Sequence, residues 1–181
     1  MARRAVLQDL KARQSALGPS IYAAVFCLVV LAAAGLIGTL AHAPWLFPSL
    51  GPTVMLFFES PEQPSSRPLN ALVGHGVGLV AGIACLYAFG LQNVPAAPVG
   101  GLKPLHVVAG ALSVALTTLI LTLLKKPHPP AGATTLIVSL GILSQVPELI
   151  VMAASIIFVT ALGWGLNLAL GTKPASETKK R

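Results

Sequence analysis

Four long apolar runs constrain the fold of this chain more than any other feature of its sequence. They extend over Ser20 to Ala41, Leu69 to Leu91, Leu105 to Leu124 and Val146 to Leu170. Each run can cross the hydrocarbon core of a bilayer as a helix, which takes about 20 residues. Of the 181 residues, 55% are hydrophobic and 9% are charged, a balance that excludes an ordinary soluble domain. We therefore expect an all-α polytopic membrane protein.

Two shorter segments, the first apolar and the second polar, lie between these runs, and neither can form one continuous helix. Residues Pro44 to Phe58 and residues Lys125 to Thr135 each contain three prolines. Proline disrupts a helix interior because it lacks the amide hydrogen, but it suits the first helical turn. A broken helix persists at bilayer depth only where it is buried in protein or lines a polar cavity. These two segments are therefore where we expect a solute path.

The two halves of the chain follow the same order of long run, broken segment and long run. Gly51-Pro52-Thr53-Val54 aligns with Gly132-Ala133-Thr134-Thr135, which places small and hydroxyl-bearing residues at matching positions. The pattern predicts four long transmembrane helices plus two short broken segments in a three-plus-three inverted repeat. Helices that restart near Pro52 and Pro130 would direct two opposed, partially positive amino ends toward the bilayer midplane. Such a site suits a small anion.

The positions of the twelve lysines and arginines predict the topology. If both broken segments cross the bilayer, eleven of these residues lie on the cytoplasmic side and only Lys103 lies outside. If both segments are re-entrant, Arg67, Lys125 and Lys126 also move outside. Because cytoplasmic loops are enriched in basic residues, the crossing arrangement is favoured.

The same pattern divides the chain into three regions. We expect a basic cytoplasmic segment over residues 1–19, a transmembrane domain over residues 20–171 and a basic tail over residues 172–181. The expected location is a bacterial cytoplasmic (inner) membrane, with both termini in the cytoplasm. The net charge of +7 arises at the ends and in short loops rather than on one face. The lipid bilayer is therefore the expected partner, and nucleic acid is not.

The residues needed for common catalytic sites are missing from this sequence. It contains five acidic residues, none of them clustered, and it shows no metal-ligand spacing, nucleophile triad or phosphate-binding glycine loop. Cys27 and Cys85 both lie inside apolar runs without CxxC spacing, which supports neither a disulfide nor a metal site. We expect no enzymatic activity, no cofactor and no bound metal.

Two histidines lie close to these breaks. Gly74, Gly78 and Gly82 recur at intervals that allow close helix contact, and His75 lies near that stripe, so it should face protein rather than lipid. An interhelical hydrogen bond is its expected role. His128 can donate a hydrogen bond to an anion or carry a coupled proton, or it can simply be a wetted corner histidine.

Other polar residues have more ordinary explanations. Asn70 precedes a long run and is expected to cap its first turn, the alternative being a polar contact at the inner mouth near Arg67. Ser113 and Thr117 lie four residues apart on one helix face, and we expect both to bond to their own helix. His42 and His106 lie near run ends and receive no role.

Three blocks of residues resemble the HPP family of integral membrane proteins. They are Phe47 to Thr53, then Arg67 to Asn70 with Gly74-His75, and His128-Pro129-Pro130 continuing through Ala131-Gly132-Ala133-Thr134. The third block carries the family's name-giving motif, and the resemblance extends from about Ser20 to Leu170. It implies a small membrane transporter, and some members are linked to nitrite transport.

The hypothesis is a transporter or channel for a small inorganic anion, with nitrite as the leading candidate solely because of the resemblance. Alternatively, proline and glycine only bend two packed segments, or the protein is a membrane receptor or assembly scaffold. A homo-oligomer is left open. The candidate substrate-binding residues are Gly51, Pro52, Thr53, Asn70, His75, His128, Pro129, Pro130, Gly132, Ala133, Thr134 and Thr135.

Overall fold

Helices form most of the described chain, and four of them are long and apolar enough to cross a membrane. The structure is a computed structural model and describes residues 5–12 and 16–175. No strand occurs in these two ranges, so the expected all-α polytopic class is confirmed. The helices are α1 (Val6–Ala12), α2 (Leu17–Ala41), α3 (Leu50–Glu59), α4 (Pro68–Ala88), α5 (Ala97–Gly100), α6 (Pro104–Leu123), α7 (Ala131–Ser139) and α8 (Val146–Ala169), with 3₁₀ turns at Pro64–Ser66 and Leu91–Asn93.

The ends of the long helices follow from local backbone chemistry. Both α4 and α6 begin with a proline, which needs no amide partner in a first turn. α4 ends at Ala88, before the second apolar run ends at Leu91, because Gly90 adopts a left-handed φ of 67°. α6 ends in the same way, since Lys125 has a φ of 53° and its amide returns to the Thr122 carbonyl.

The two broken segments each contain one short helix that begins beside a proline. In α3, Pro52 is the third residue, and in α7 the residue Pro130 immediately precedes the first turn. Both predicted restart points are therefore confirmed. Each helix has only nine or ten residues, so an extended or turning stretch of chain covers the rest of the distance.

One end of the bundle gathers most of the described basic residues, and we call it the basic end. It contains α1, the loop of residues 60–67, the corner of residues 124–130 and the carboxyl end of α8. Lys11 Nζ lies 3.5 Å from Glu62 Oε2, and the Val6 amide donates to the Leu170 carbonyl over 3.1 Å. Residues 1–4, 13–15 and 176–181, which include other basic residues of the predicted terminal segments, lie outside the described residues.

These contacts bear on whether the broken segments cross the bundle. α2 begins at the basic end beside α1, and the loop that follows α3 returns to that end through the Lys11–Glu62 pair. At the far end, the Ala97 amide donates to the Leu140 carbonyl just after α7, over 3.0 Å. Both segments therefore run from one end of the bundle to the other, as the crossing arrangement requires.

The short helices occupy corresponding positions in the two halves. α3 packs against α2, the first long helix of its own half, and against α8, the last long helix of the other half. α7 packs against α6 and α4 in the same relation. This exchange of partners is what an inverted repeat would produce, although the symmetry relation itself stays a prediction.

The glycine stripe of α4 explains how closely α7 can approach. A Cβ atom at Gly74 would lie 2.7 Å from His128 Cβ, and one at Gly78 would lie 2.8 Å from the Ala131 carbonyl oxygen. At Gly82 the corresponding distance to Val138 Cβ is 2.8 Å. Only glycine fits at these contacts, so the predicted close helix packing is confirmed. It places His128 directly against α4.

Candidate functional site

Two histidines form the centre of the site. His75 lies in the second turn of α4 and His128 in the corner before α7, and they are 0% and 1% exposed. Their Nε2 atoms are 3.2 Å apart and their rings meet at 69°. The expectation that His75 faces protein is confirmed, and the other histidine is one of its contacts.

Two threonines from the short helices meet at His75. Thr53 Oγ1 lies 2.9 Å from His75 Nε2, and Thr134 Oγ1 lies 2.7 Å from His75 Nδ1. Thr53 also approaches His128 Nε2, at 3.4 Å. Each threonine is the fourth residue of its helix, so the sequence alignment of the two halves places equivalent side chains on the two nitrogens of one imidazole. We call Thr53, His75, His128 and Thr134 the histidine cluster.

The hydrogen-bond partners of His128 fix where its proton lies. His128 Nδ1 is 2.8 Å from the Ser65 carbonyl oxygen, which can only accept. Nδ1 therefore carries the hydrogen, and a neutral His128 keeps a lone pair on Nε2. That lone pair faces His75.

The remaining partners are consistent with a neutral His75. The Thr53 hydroxyl donates to the Ser49 carbonyl over 2.8 Å, so its oxygen is left to accept the Nε2 hydrogen of His75. Thr134 can then donate to His75 Nδ1. Every side chain of the histidine cluster has a partner with both rings uncharged.

A short loop covers the histidine cluster at the basic end. This loop, residues 60–67, contributes the Ser65 carbonyl to His128 and is held at three further points. The Ser66 hydroxyl contacts the Leu56 carbonyl at 2.9 Å, and Trp164 Nε1 donates to the Ser66 carbonyl over 2.8 Å. The loop therefore lies between His128 and the surface of the bundle.

Asn70 provides the third point, and its predicted role as a helix cap was wrong. It is the third residue of α4, whereas Arg67 occupies the capping position and makes no side-chain cap bond. Asn70 Nδ2 donates to the Pro64 carbonyl over 2.9 Å, so this buried side chain holds the loop. The helix begins at Pro68, before Asn70, so Asn70 lies inside the first turn and does not occupy the capping position.

A second group of hydroxyls continues away from the cluster along α7. Thr135 Oγ1 lies 2.8 Å from Thr117 Oγ1, and Ser113 Oγ lies 3.0 Å from Ser139 Oγ. Ser113 and Thr117 also bond to carbonyls of their own helix, as predicted. The interhelical contacts were not predicted. They extend the line of buried polar groups toward the end that carries Lys103.

The start of α7 differs from the expected array of free amide donors. The amides of Ala131, Gly132 and Ala133 already donate to the carbonyls three positions earlier, at His128, Pro129 and Pro130, over 3.0–3.1 Å. These residues therefore shape the turn in this conformation. The field of the helix end still favours negative charge nearby.

The other candidate residues lie around the cluster rather than in it. Pro52 and Pro129 are exposed on the side of the bundle, and Pro130 is buried. Gly51 and Gly132 are partly buried, and a Cβ atom at either one would meet nothing within 4 Å. Space for a side chain therefore exists beside both short helices.

A cavity of about 510 Å³ lies next to His128, between α6 and the corner. Its walls are mostly apolar, and its polar lining includes Thr117, Thr118, Lys125 and His128. Gly132 also lines it. In contrast, separations of 2.7–3.4 Å within the histidine cluster leave no room for an anion between those four side chains.

Ser49 is a polar residue that was not among the predicted site residues. It is fully buried just before α3, and its hydroxyl has no hydrogen-bond partner. Its place in the block Phe47 to Thr53 was the available signal. Among the described residues, no group of three His, Cys, Asp or Glu side chains could hold a metal ion.

Comparisons with known proteins agree on a membrane protein. The family model described as "HPP, transmembrane region" matches residues 12–173. A protein of Dictyostelium discoideum named as a transmembrane protein is 29% identical over 97 residues, which are 54% of this chain and 30% of that protein. The matched part is thus less than a third of the length of that relative. No solved structure matches the chain.

Proposed function

This chain belongs to the HPP family of membrane proteins, and we propose that it is a transporter or channel for a small inorganic anion. Nitrite is the leading candidate because of the family resemblance. One observation carries the proposal: the first turns of two short helices, α3 and α7, meet at one buried histidine pair.

The chemistry around this meeting point suits an anion. Two helix amino ends contribute partial positive charge, and threonine hydroxyls and imidazole nitrogens supply donors. Among the described residues, no carboxylate bonds to either histidine, so no fixed negative charge repels the solute there. The unpaired Ser49 hydroxyl is a further donor beside α3.

The proposed route begins at the basic end, in the cavity beside His128. His75 is the eighth residue of α4, so it lies about 10 Å along the helix from the basic end at 1.5 Å per residue. The middle of this 21-residue helix is at Gly78, so the site lies about 5 Å from the midplane of the sequence-based hypothesis, on the side of the basic end. Because the cluster is closed, the side chains must separate before an anion can pass.

We place the basic end on the cytoplasmic side of a bacterial inner membrane. The described residues Lys11, Arg67, Lys125 and Lys126 lie there, and Lys103 lies at the opposite end. The positive-inside tendency then puts both termini in the cytoplasm.

Flux measurements on reconstituted protein test the proposal. Purified protein in lipid vesicles should carry nitrite or another small monovalent anion from a panel, faster than protein-free vesicles. The protein-free vesicles also measure how fast neutral nitrous acid crosses the lipid without protein, and this rate is subtracted.

We expect Gly132→Leu to abolish this flux while the protein stays folded, because the side chain would fill the cavity beside His128. Gly76→Leu is the matched control, since Gly76 is exposed on α4 and a Cβ atom there also meets nothing within 4 Å. Normal flux in Gly132→Leu would remove the proposed site.

The closed packing of the histidine cluster favours one second candidate, a receptor or assembly scaffold. In that case the polar contacts would serve only to hold helices together. Folded, membrane-inserted protein that carries none of the anions would support this alternative.

A further inference from the structure

The histidine cluster forms a continuous set of groups that can hold and pass a proton. It runs from the Ser65 carbonyl through His128 and His75 to Thr134, with successive separations of 2.8, 3.2 and 2.7 Å. An imidazole can take a proton on one nitrogen and release one from the other. The free lone pair is on His128 Nε2, which makes this atom the place where an extra proton adds.

An added proton would create a buried positive charge without a partner. Among the described residues, the nearby charged groups are few: the loop carries Glu62, which pairs with Lys11, and Arg67, while the corner carries Lys125 and Lys126. α3 contributes Glu59 at its exposed far end, and α6, α7 and α8 contribute no charged side chain to the contacts of either ring. Burying an unpaired charge is strongly unfavourable.

From this arrangement we propose that the His75–His128 pair binds one proton together with each transported anion, so that transport is proton-coupled. The inference rests on the proposed function. The anion supplies the negative charge that the protonated pair lacks, and the proton supplies the positive charge that holds the anion. Because coupling between two binding events is reciprocal, each ligand raises the affinity of the other.

The same step explains how the closed cluster opens. With a hydrogen on Nε2 of both rings, two N–H groups face each other across 3.2 Å and repel. The rings must then separate, or His75 must move its hydrogen to Nδ1. Separation makes room for the anion between the two Nε2 atoms. One proton and one monovalent anion enter and leave together, so the cycle moves no net charge.

Proton uptake on anion binding is the direct test. Weakly buffered, detergent-solubilised protein is mixed with sodium nitrite near neutral pH while a pH indicator dye is followed. We expect uptake approaching one proton per bound nitrite. His75→Gln and His128→Gln should lose this signal, and His42→Gln, an exposed histidine outside the cluster, should keep it. Nitrite binding without proton uptake overturns the coupling and leaves the proposed function standing.

Flux into vesicles also distinguishes the proton coupling from the proposed anion transport. We expect an inward proton gradient to drive nitrite accumulation and a potassium-clamped membrane potential to have no effect. Nitrite flux that follows only its own gradient or the potential overturns the coupling alone. If nitrite neither binds nor crosses, the coupling falls together with the nitrite assignment. Only failure of the whole anion panel then removes the proposed function.

Substitutions at His128 distinguish a proton carrier from a simple donor. His128→Gln keeps a hydrogen-bond donor but no titrating group, so partial flux, about tenfold below the wild type, should remain without pH dependence between about pH 5.5 and 8. His128→Ala should lose more flux. Wild-type pH dependence in His128→Gln would overturn the inference.

Discussion

At the residue scale, His75 joins the two halves of the chain. A threonine from α3 bonds to one ring nitrogen, and a threonine from α7 bonds to the other. His128 then contacts the same ring and ties it to the loop at the basic end. The hydrogen bonds of a single imidazole therefore depend on the positions of both short helices. A small change at either threonine should alter the position of the His75 ring.

Replacing either threonine should weaken transport in a similar way. Thr53→Val and Thr134→Val keep the side-chain shape but remove a hydrogen bond to His75, and each should lower initial anion flux by about tenfold. Thr53→Ser and Thr134→Ser retain the hydroxyl and serve as controls. The double valine variant should be non-additive, because both side chains act on one ring. Unchanged flux in both valine variants would contradict a role for the cluster.

At the scale of elements, the contact between α4 and α7 positions the site. The glycines of α4 let the corner and the first turns of α7 lie against its backbone, with His128 Cβ 2.7 Å from the position of a Cβ atom at Gly74. The loop of residues 60–67 then closes over the histidines. Helix packing, rather than the histidines themselves, therefore holds His128 at its depth.

Substitution at two neighbouring glycines should separate packing from helix propensity. Gly74→Ala forces the new methyl group against His128, and we expect the free energy of unfolding to fall by about 1–3 kcal/mol. Gly76→Ala places its methyl group in open space and should raise the free energy of unfolding by about 0.5–1 kcal/mol, because alanine favours a helix more than glycine does. Thermal unfolding in one detergent compares them. Equal midpoints for the two variants would show that the contact is looser than the structure indicates.

At the scale of the whole molecule, the bundle has one end rich in basic residues and one end that carries Lys103. The loops and corner at the basic end are tied together by the Lys11–Glu62 pair and by the contact between Ser65 and His128. Both short segments cross between the two ends. The membrane orientation of the protein follows from which end faces the cytoplasm.

Labelling of single cysteines tests that orientation. In a background without Cys27 and Cys85, cysteines at positions 62 and 125 should react only with reagents that reach the cytoplasmic side, and one at position 103 only from outside. Outside labelling at position 125 would reverse the proposed orientation. A flexible bismaleimide that joins cysteines at positions 11 and 62 would independently report that α1 and the loop share one end.

The sequence by itself determined the class of fold, because four apolar runs of membrane length have few alternatives. It also located both breaks, since proline limits where a helix can begin, and it identified all four residues of the histidine cluster. Periodicity placed the glycine stripe on a contact face before any partner was known. These conclusions depend on local chemistry or on repeated spacing, which a linear sequence records.

Only the tertiary structure decided which groups meet and which do not. It brought Thr53, His75, His128 and Thr134 together from distant parts of the chain, moved Asn70 from a cap to the loop, and showed the first amides of α7 already bonded. It also showed that the space in which an anion was expected is closed. Contacts between distant residues depend on how closely helices approach, and here the absence of side chains at Gly74, Gly78 and Gly82 sets that approach.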